Sequence, residues 1–243
     1  MRTRIGIALG LLLLTTACDA RDPEPGPPAG GGSPAGGVLL LGDSVAAGQA
    51  AALTEAFAVS GVRFWSAATE GGGNVVGPNA SAAWEALPAT IEQAAPTVVV
   101  YQITTYDWGT AREQTDAYTR LSATVADAGA TLVIVTMPPI RADDFHAPHL
   151  DELHRTRDSA RAAADASGGR TRLLDAGEVW GGEFTPEGRS SDGVHTCPQG
   201  AARFAEWLLA KLTPVMPGLT PAPRETWVNA GWSGDRRFIG CGR

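Results

Sequence analysis

Leu39-Leu40-Leu41-Gly42-Asp43-Ser44-Val45-Ala46 opens on an apolar run and breaks at a glycine before a polar pair. The run predicts a buried strand. Gly42 then lets the chain turn, and Ser44 stands at the strand's carboxyl end, where open α/β sheets carry their sites. The tripeptide Gly42-Asp43-Ser44 also reads as a helix N-terminus with Asp43 or Ser44 as the cap. Outward from it, apolar strand-like runs occur at Val38 to Leu41, Val62 to Trp65, Thr97 to Ile103, Thr131 to Thr136 and Arg172 to Leu174. Alanine-rich stretches of helical length separate them: Ala46 to Val59, Ala82 to Gln93, Ala111 to Ala128, Leu150 to Ala166 and Gln199 to Leu212. Pro88 should break or kink the second of these. The alternation predicts the α/β class, a three-layer α/β/α sandwich whose five-stranded parallel sheet is covered by helices on both faces. About 200 residues suit a single unit of this kind.

Far downstream, Asp192-Gly193-Val194-His195 supplies the partners that Ser44 needs for chemistry. A serine hydroxyl is a poor nucleophile at neutral pH. It requires an imidazole to take its proton and a carboxylate to hold that imidazole in the right tautomer. The spacing lets one loop carry Asp192 and His195, with one ring nitrogen on the carboxylate and the other toward Ser44. Read alone, Ser191-Asp192-Gly193 is also an ordinary turn and His195 a surface histidine. The joint occurrence of both blocks at opposite ends of the strand and helix pattern favours the catalytic reading.

From Val38 to Leu212 the chain resembles the SGNH hydrolases, also called the GDSL family of esterases, lipases and acyltransferases, with a flavodoxin-like sheet. The resemblance implies that Ser44 is the nucleophile and that Asp192 and His195 complete the triad. Thr196-Cys197-Pro198-Gln199-Gly200-Ala201-Ala202 is similar to the family's usual opening of its last helix. The family's two middle blocks form the oxyanion hole. The resemblance places Gly71, opening Gly71-Gly72-Gly73-Asn74, as the first donor, beside the Ser44 amide. The second block, normally Gly-x-Asn-Asp, reads Thr104-Thr105-Tyr106-Asp107 here. Thr104 replaces the glycine and Tyr106 the asparagine. Loss of an oxyanion donor costs about 2.7–4 kcal/mol of transition-state stabilisation. The Tyr106 phenol and the Asn74 amide are candidate replacements, and Tyr106 packing the pocket wall is the other reading. Asn74, Asp107 and Trp108 are candidate substrate contacts.

Met1-Arg2-Thr3-Arg4, the apolar stretch Ile5 to Leu14 and Thr15-Thr16-Ala17-Cys18 look like a bacterial lipoprotein signal peptide spanning residues 1–17. Its apolar core falls short of the ~20 residues a membrane-spanning helix needs. Cys18 is the expected lipidation site, with a plain secretory signal as the alternative. Residues 18–37 are dominated by proline and glycine and predict a disordered tether. The hydrolase domain is expected over 38–213 and a C-terminal extension packed on it over 214–243. With Cys18 assigned to lipid, Cys197 and Cys241 remain and predict a disulfide in an exported protein.

Arg141 to His149 predicts a solvated loop near the site mouth, and His154 an exposed helix face. The pair His146 and His149 has Pro148 between them and no matching ligand frame, so no metal and no cofactor are expected. Trp227 and Trp232 in the tail predict packing at a core edge before sugar stacking. The formal net charge of -7 argues against nucleic acid as a partner. The expected protein is exported and lipid-anchored to the outer face of the membrane. It acts on acylated carbohydrate or a small ester, with a membrane acyltransferase as a further partner. The rival expectation is a catalytically silent carbohydrate-binding or scaffold lipoprotein.

Overall fold

A computed structural model describes residues 36–242. The expected signal segment, Cys18 and almost all of the expected tether therefore lie outside the described residues. Five strands, β1 (Gly37–Leu41), β2 (Arg63–Ser66), β3 (Val98–Gln102), β4 (Thr131–Val135) and β5 (Thr171–Leu174), form one sheet in the order β2-β1-β3-β4-β5, with every pairing parallel. The crossovers are α1 (Ser44–Val59), α2 (Ala80–Ala94), α3 (Ala111–Asp127) and α4 (Leu150–Ala166). A short α5 (Gly177–Trp180) and then α6 (Pro198–Leu212) follow β5.

The strands read as unbroken apolar runs because both sheet faces are covered. Alternate residues feed two cores. Leu40, Val98, Val100 and Val133 pack with α1 and α6 on one face, while Leu39, Val99, Tyr101, Leu132 and Ile134 pack with α2, α3 and α4 on the other. The three-layer sandwich of the sequence reading is the observed architecture. The chain leaves β1 to one side for β2 and crosses to the other side for β3, so the carboxyl ends of β1 and β3 flank the point where strand order reverses. In open sheets that crevice receives ligands.

Of the break or kink expected at Pro88, the break is absent: α2 runs through the proline, which is exposed, so water can satisfy the carbonyl left without a donor one turn earlier. The tail is part of the core as well as a cover for it. Met216, Leu219, Trp227 and Trp232 are buried within the cluster built by α1 and α6.

Candidate active site

Ser44 is the first residue of α1, and Asp43 caps that helix by accepting the Val45 amide at 3.0 Å. The second Asp43 carboxylate oxygen accepts the amide of Thr105 at 2.7 Å and its hydroxyl at 2.8 Å. One buried carboxylate thus ties the turn after β1 to the turn after β3. Burial pushes the Asp43 pKa up, against hydrogen bonds from Thr105, Val45 and Ala46 that pull it down. The turn itself needs Gly42, whose φ of 149° lies where side chains are strained. A Cβ there would lie 2.7 Å from the Ala46 Cβ.

The fold brings the downstream block to this turn. His195 Nε2 lies 2.8 Å from Ser44 Oγ, and His195 Nδ1 lies 2.8 Å from Asp192 Oδ2. The other Asp192 oxygen accepts the amides of Val194 at 2.7 Å and His195 at 3.0 Å. A carboxylate only accepts, so Nδ1 carries the proton and Nε2 is left to accept from the Ser44 hydroxyl. Burial by itself would raise the Asp192 pKa, but the hydrogen bonds from the His195 ring and from the two amides outweigh it and hold the group at about 2. A charged carboxylate behind a neutral imidazole stabilises the imidazolium that forms when the serine proton moves.

Residues that the sequence reading passed over hold this loop. Arg189 is buried and donates to the Val194 carbonyl at 2.7 Å, with its guanidinium over the Trp180 and Phe184 rings. Desolvation lowers its pKa to about 10, against the pull of Asp192. The Arg141 amide donates to the Gly193 carbonyl at 2.9 Å. From the tail, the Ile239 carbonyl accepts the Ser190 hydroxyl at 2.8 Å and the Gly240 carbonyl accepts the Ser191 amide at 3.0 Å. The expected Cys197–Cys241 disulfide is present and closes the other side of the loop. The parity of the cysteines was the only sequence signal for this clamp.

The glycine loop, expected to form the oxyanion side, meets the nucleophile turn through its backbone. The Ser44 amide belongs to the first turn of α1, whose N–H groups have no intrahelical acceptor. Among the described residues the amides of Gly71, Gly72 and Gly73 donate no hydrogen bond. Gly71 itself is exposed. Gly73 presses on the nucleophile turn, since a Cβ there would run into the Gly42 carbonyl, which also accepts the Thr69 amide at 3.0 Å.

Two polar candidates stand elsewhere than expected. Asn74 is fully buried, and its amide nitrogen donates to the carbonyls of Val76 at 2.8 Å and of Pro78, so it closes its own loop and has no donor left for substrate. Asp107 is also fully buried. Its carboxylate accepts the hydroxyls of Tyr101 at 2.8 Å, Tyr118 at 2.8 Å and Thr104 at 3.0 Å. Burial raises its pKa to about 7 despite those hydrogen bonds, with the neighbouring charge of Asp43 adding to the rise. Because the Tyr101 hydroxyl also accepts the Val75 amide at 3.2 Å, Asp107 acts on the glycine loop through Tyr101, as a positioning residue. The loop from Arg141 to His149 is not simply solvated. His146 is buried against Asp143 at 2.7 Å, and His149 pairs with Glu152 at 2.6 Å while stacking on Trp108 at 3.6 Å between ring centroids.

Trp108 is half-buried and its indole donates to the Thr105 carbonyl at 2.9 Å. Tyr106 packs against the Trp108 and Phe145 rings, at 5.8 and 5.9 Å, which also meet each other at 5.4 Å, and its hydroxyl makes no hydrogen bond among the described residues. Tyr106, Trp108 and Phe145 thus form an aromatic wall that begins one residue beyond the Thr105 contact to Asp43. Among the described residues no group of three or more His, Cys, Asp or Glu side chains is placed to hold a metal ion.

The fold is shared with solved structures. A GDSL-like lipase from Bacteroides thetaiotaomicron matches at TM-score 0.58 and 12% identity, over 74% of this chain and 89% of that one. A lipase/acylhydrolase from Enterococcus faecalis matches at TM-score 0.57 and 18% identity, over 77% and 98%. An acetylxylan esterase from Geobacillus stearothermophilus matches at TM-score 0.55 and 12% identity, over 77% and 97%. No curated protein sequence matches the chain. The sequence profile of the SGNH domain, described as fused to AT3 domains, matches residues 16–176, a span that holds Ser44, the glycine loop and Tyr106 and stops short of Asp192. With that match over most of its length and a sheet shared with GDSL-like lipases, the chain belongs to the SGNH family.

Proposed function

We propose that this chain is a serine esterase that removes or transfers O-acyl groups on cell-envelope carbohydrate through an acyl-enzyme on Ser44. The observation that carries the reading is the unbroken relay from Ser44 Oγ to His195 to Asp192, at 2.8 Å for each step. In this reading Ser44 Oγ attacks the ester carbonyl as His195 Nε2 takes its proton, and Asp192 stabilises the imidazolium. The amides of Ser44 and the glycine loop receive the oxyanion, with the Tyr106 hydroxyl as a third donor. His195 then returns its proton to the departing alcohol. Water, or a sugar hydroxyl on the transferase branch, is next deprotonated by His195 and attacks the acyl carbonyl to free Ser44.

The carbohydrate half of the proposal is supported by the acetylxylan esterase among the structural relatives and by the half-exposed rings of Tyr106, Trp108 and Phe145, which suit stacking on sugar faces. Export and lipid anchoring through Cys18 follow from the signal-like start of the chain. The family description, a domain fused to AT3 domains, supports a membrane acyltransferase as the source of acyl groups on the transferase branch. Hydrolysis of p-nitrophenyl acetate and of acetylated oligosaccharide by the purified protein tests the reading. Turnover that Ser44→Ala abolishes is expected, together with labelling of Ser44 by a serine-directed phosphonate. Folded protein that neither turns over any ester nor labels at Ser44 overturns it in favour of a binding scaffold.

A further inference from the structure

Beneath the glycine loop, on the α2 side of the sheet, lies a cavity of about 390 Å³. Its floor is the carboxyl end of β1, through Leu41 and Gly42, with Tyr101 from β3 beside it; its rim is Gly71 to Gly73 and its far wall is the first half of α2. No lining residue is charged. The space exists because α2 stands off the sheet. Only Leu87 and Ile91 of that helix are buried, and the residues it turns to the cavity before Leu87 are Ala82, Ala83 and Ala86. Trp84, from the same turn, donates its indole N–H to the Val75 carbonyl at 2.8 Å, which fixes the helix to the loop at that separation.

We propose that this cavity binds the acyl chain of the ester, and that the chain is a medium-length hydrocarbon. The inference rests on the esterase reading of Ser44. Gly42, two residues before Ser44, is shared between the cavity and the nucleophile turn. Gly73, packed against the Gly42 carbonyl, joins the cavity rim to the nucleophile turn and to the glycine-loop amides that the esterase reading assigns to the oxyanion. An ester carbonyl held between Ser44 and those amides has its alcohol on one side and its acyl carbon on the other. The aromatic wall of Tyr106, Trp108 and Phe145 suits a sugar alcohol, and the uncharged cavity suits the hydrocarbon. At roughly 30 Å³ per heavy atom, the liquid share of a water molecule, a space of this size takes on the order of ten carbons. A larger cavity at the ends of β4 and β5, about 590 Å³, has His154, Arg157, Asp175 and Glu183 in its lining and does not suit a hydrocarbon.

The test is kcat/KM for p-nitrophenyl esters from acetyl to decanoyl, on the full protein and on Ala83→Phe, whose ring would fill the cavity. In the unsubstituted protein kcat/KM is expected to rise by about fourfold for each methylene that enters the cavity, the value of one buried CH₂. Ala83→Phe is expected to lower the octanoyl-to-acetyl ratio at least tenfold. That ratio is independent of the fraction of protein that folds. A second arm measures decanoate binding to Ser44→Ala by calorimetry, with at least tenfold weakening expected when Ala83→Phe is added. A preference for acetyl with no rise along the series, or a ratio that Ala83→Phe leaves unchanged, overturns the proposal while leaving the esterase reading standing. If no ester is turned over, the esterase reading falls and the decanoate arm decides the cavity, with absence of binding overturning it.

Discussion

Removing the bridge between Cys197 and Cys241 is expected to loosen the catalytic loop as well as the tail. The cysteines are 44 residues apart, and cross-linking a loop of that length lowers the entropy of the unfolded chain by an amount worth about 4 kcal/mol. Trp227 and Trp232, buried in the core, hold most of the tail in place without the bridge, so the folded state keeps its packing and the loss is expected at about 2–4 kcal/mol. The last residues have weaker anchors. Ile239 and Gly240 meet the loop through the hydrogen bonds to Ser190 and Ser191, and Ile239 is 77% exposed. Their fraying would free the segment just before Asp192 while the disulfide's other end, two residues past His195, is released as well. A displacement of about 1 Å at a reacting group costs on the order of 100-fold in rate. Urea denaturation of the Cys197→Ser, Cys241→Ser double variant should show the lower midpoint, and ester hydrolysis well below that midpoint should show a kcat reduced about 10- to 100-fold. An unchanged midpoint would refute the stability argument. An unchanged kcat would show that Arg189 and Arg141 hold the loop without help from the tail.

Asp192→Asn should reduce kcat by about 10³- to 10⁴-fold, because an amide permits the wrong imidazole tautomer; a loss of less than tenfold would contradict the assigned orientation. The wild-type carboxylate, held at about 2, keeps its stabilising contribution above the unfolded value and loses it only as pH falls toward 2, which acid unfolding of wild type against Asp192→Asn will display. Asp107 predicts the opposite slope. Its folded value of about 7 lies above the unfolded value of ~4, so the folded state holds a proton that the unfolded chain releases and stability falls between those pH values, by up to about 4 kcal/mol. Asp107→Asn should flatten that slope in melting curves taken at pH 5 and pH 8, and equal slopes in both proteins would be inconsistent with the buried site. Arg189→Met should cost about 1.5–3 kcal/mol through the lost bond to the Val194 carbonyl and lower kcat as the loop loosens, read from the urea midpoint and ester kinetics; unchanged values for both would remove Arg189 from the support of the loop.

Much of this architecture was legible along the chain because the deciding signals are local. Uninterrupted runs such as Val98 to Gln102 mark strands covered on both faces, and the alanine-rich stretches between them are long enough for crossovers. Asp43 illustrates how close a local reading comes: helix cap and nucleophile turn were rival interpretations of Gly42-Asp43-Ser44, and the fold uses Asp43 as the cap while Ser44 meets His195. Asp192 and His195 could be paired in advance because only two residues of one loop separate donor from acceptor.

The alternation of elements, the two blocks carrying Ser44, Asp192 and His195, and the cysteine pair are thus local properties of the chain. Where the other polar groups point depends on tertiary packing. Asp107 follows Tyr106 directly, yet it turns inward because Tyr101 from β3 and Tyr118 from α3 place two hydroxyls where it can be satisfied without water. Asn74 and His146 take partners within four residues of themselves, Val76, Pro78 and Asp143, and the packing of their loops buries them there. The cavity beside Gly42 likewise depends on how far α2 stands from the sheet. A helix's spacing from its neighbours and the burial of a polar group are set by residues distant in sequence, whereas strand and helix periodicity is set by residues close together.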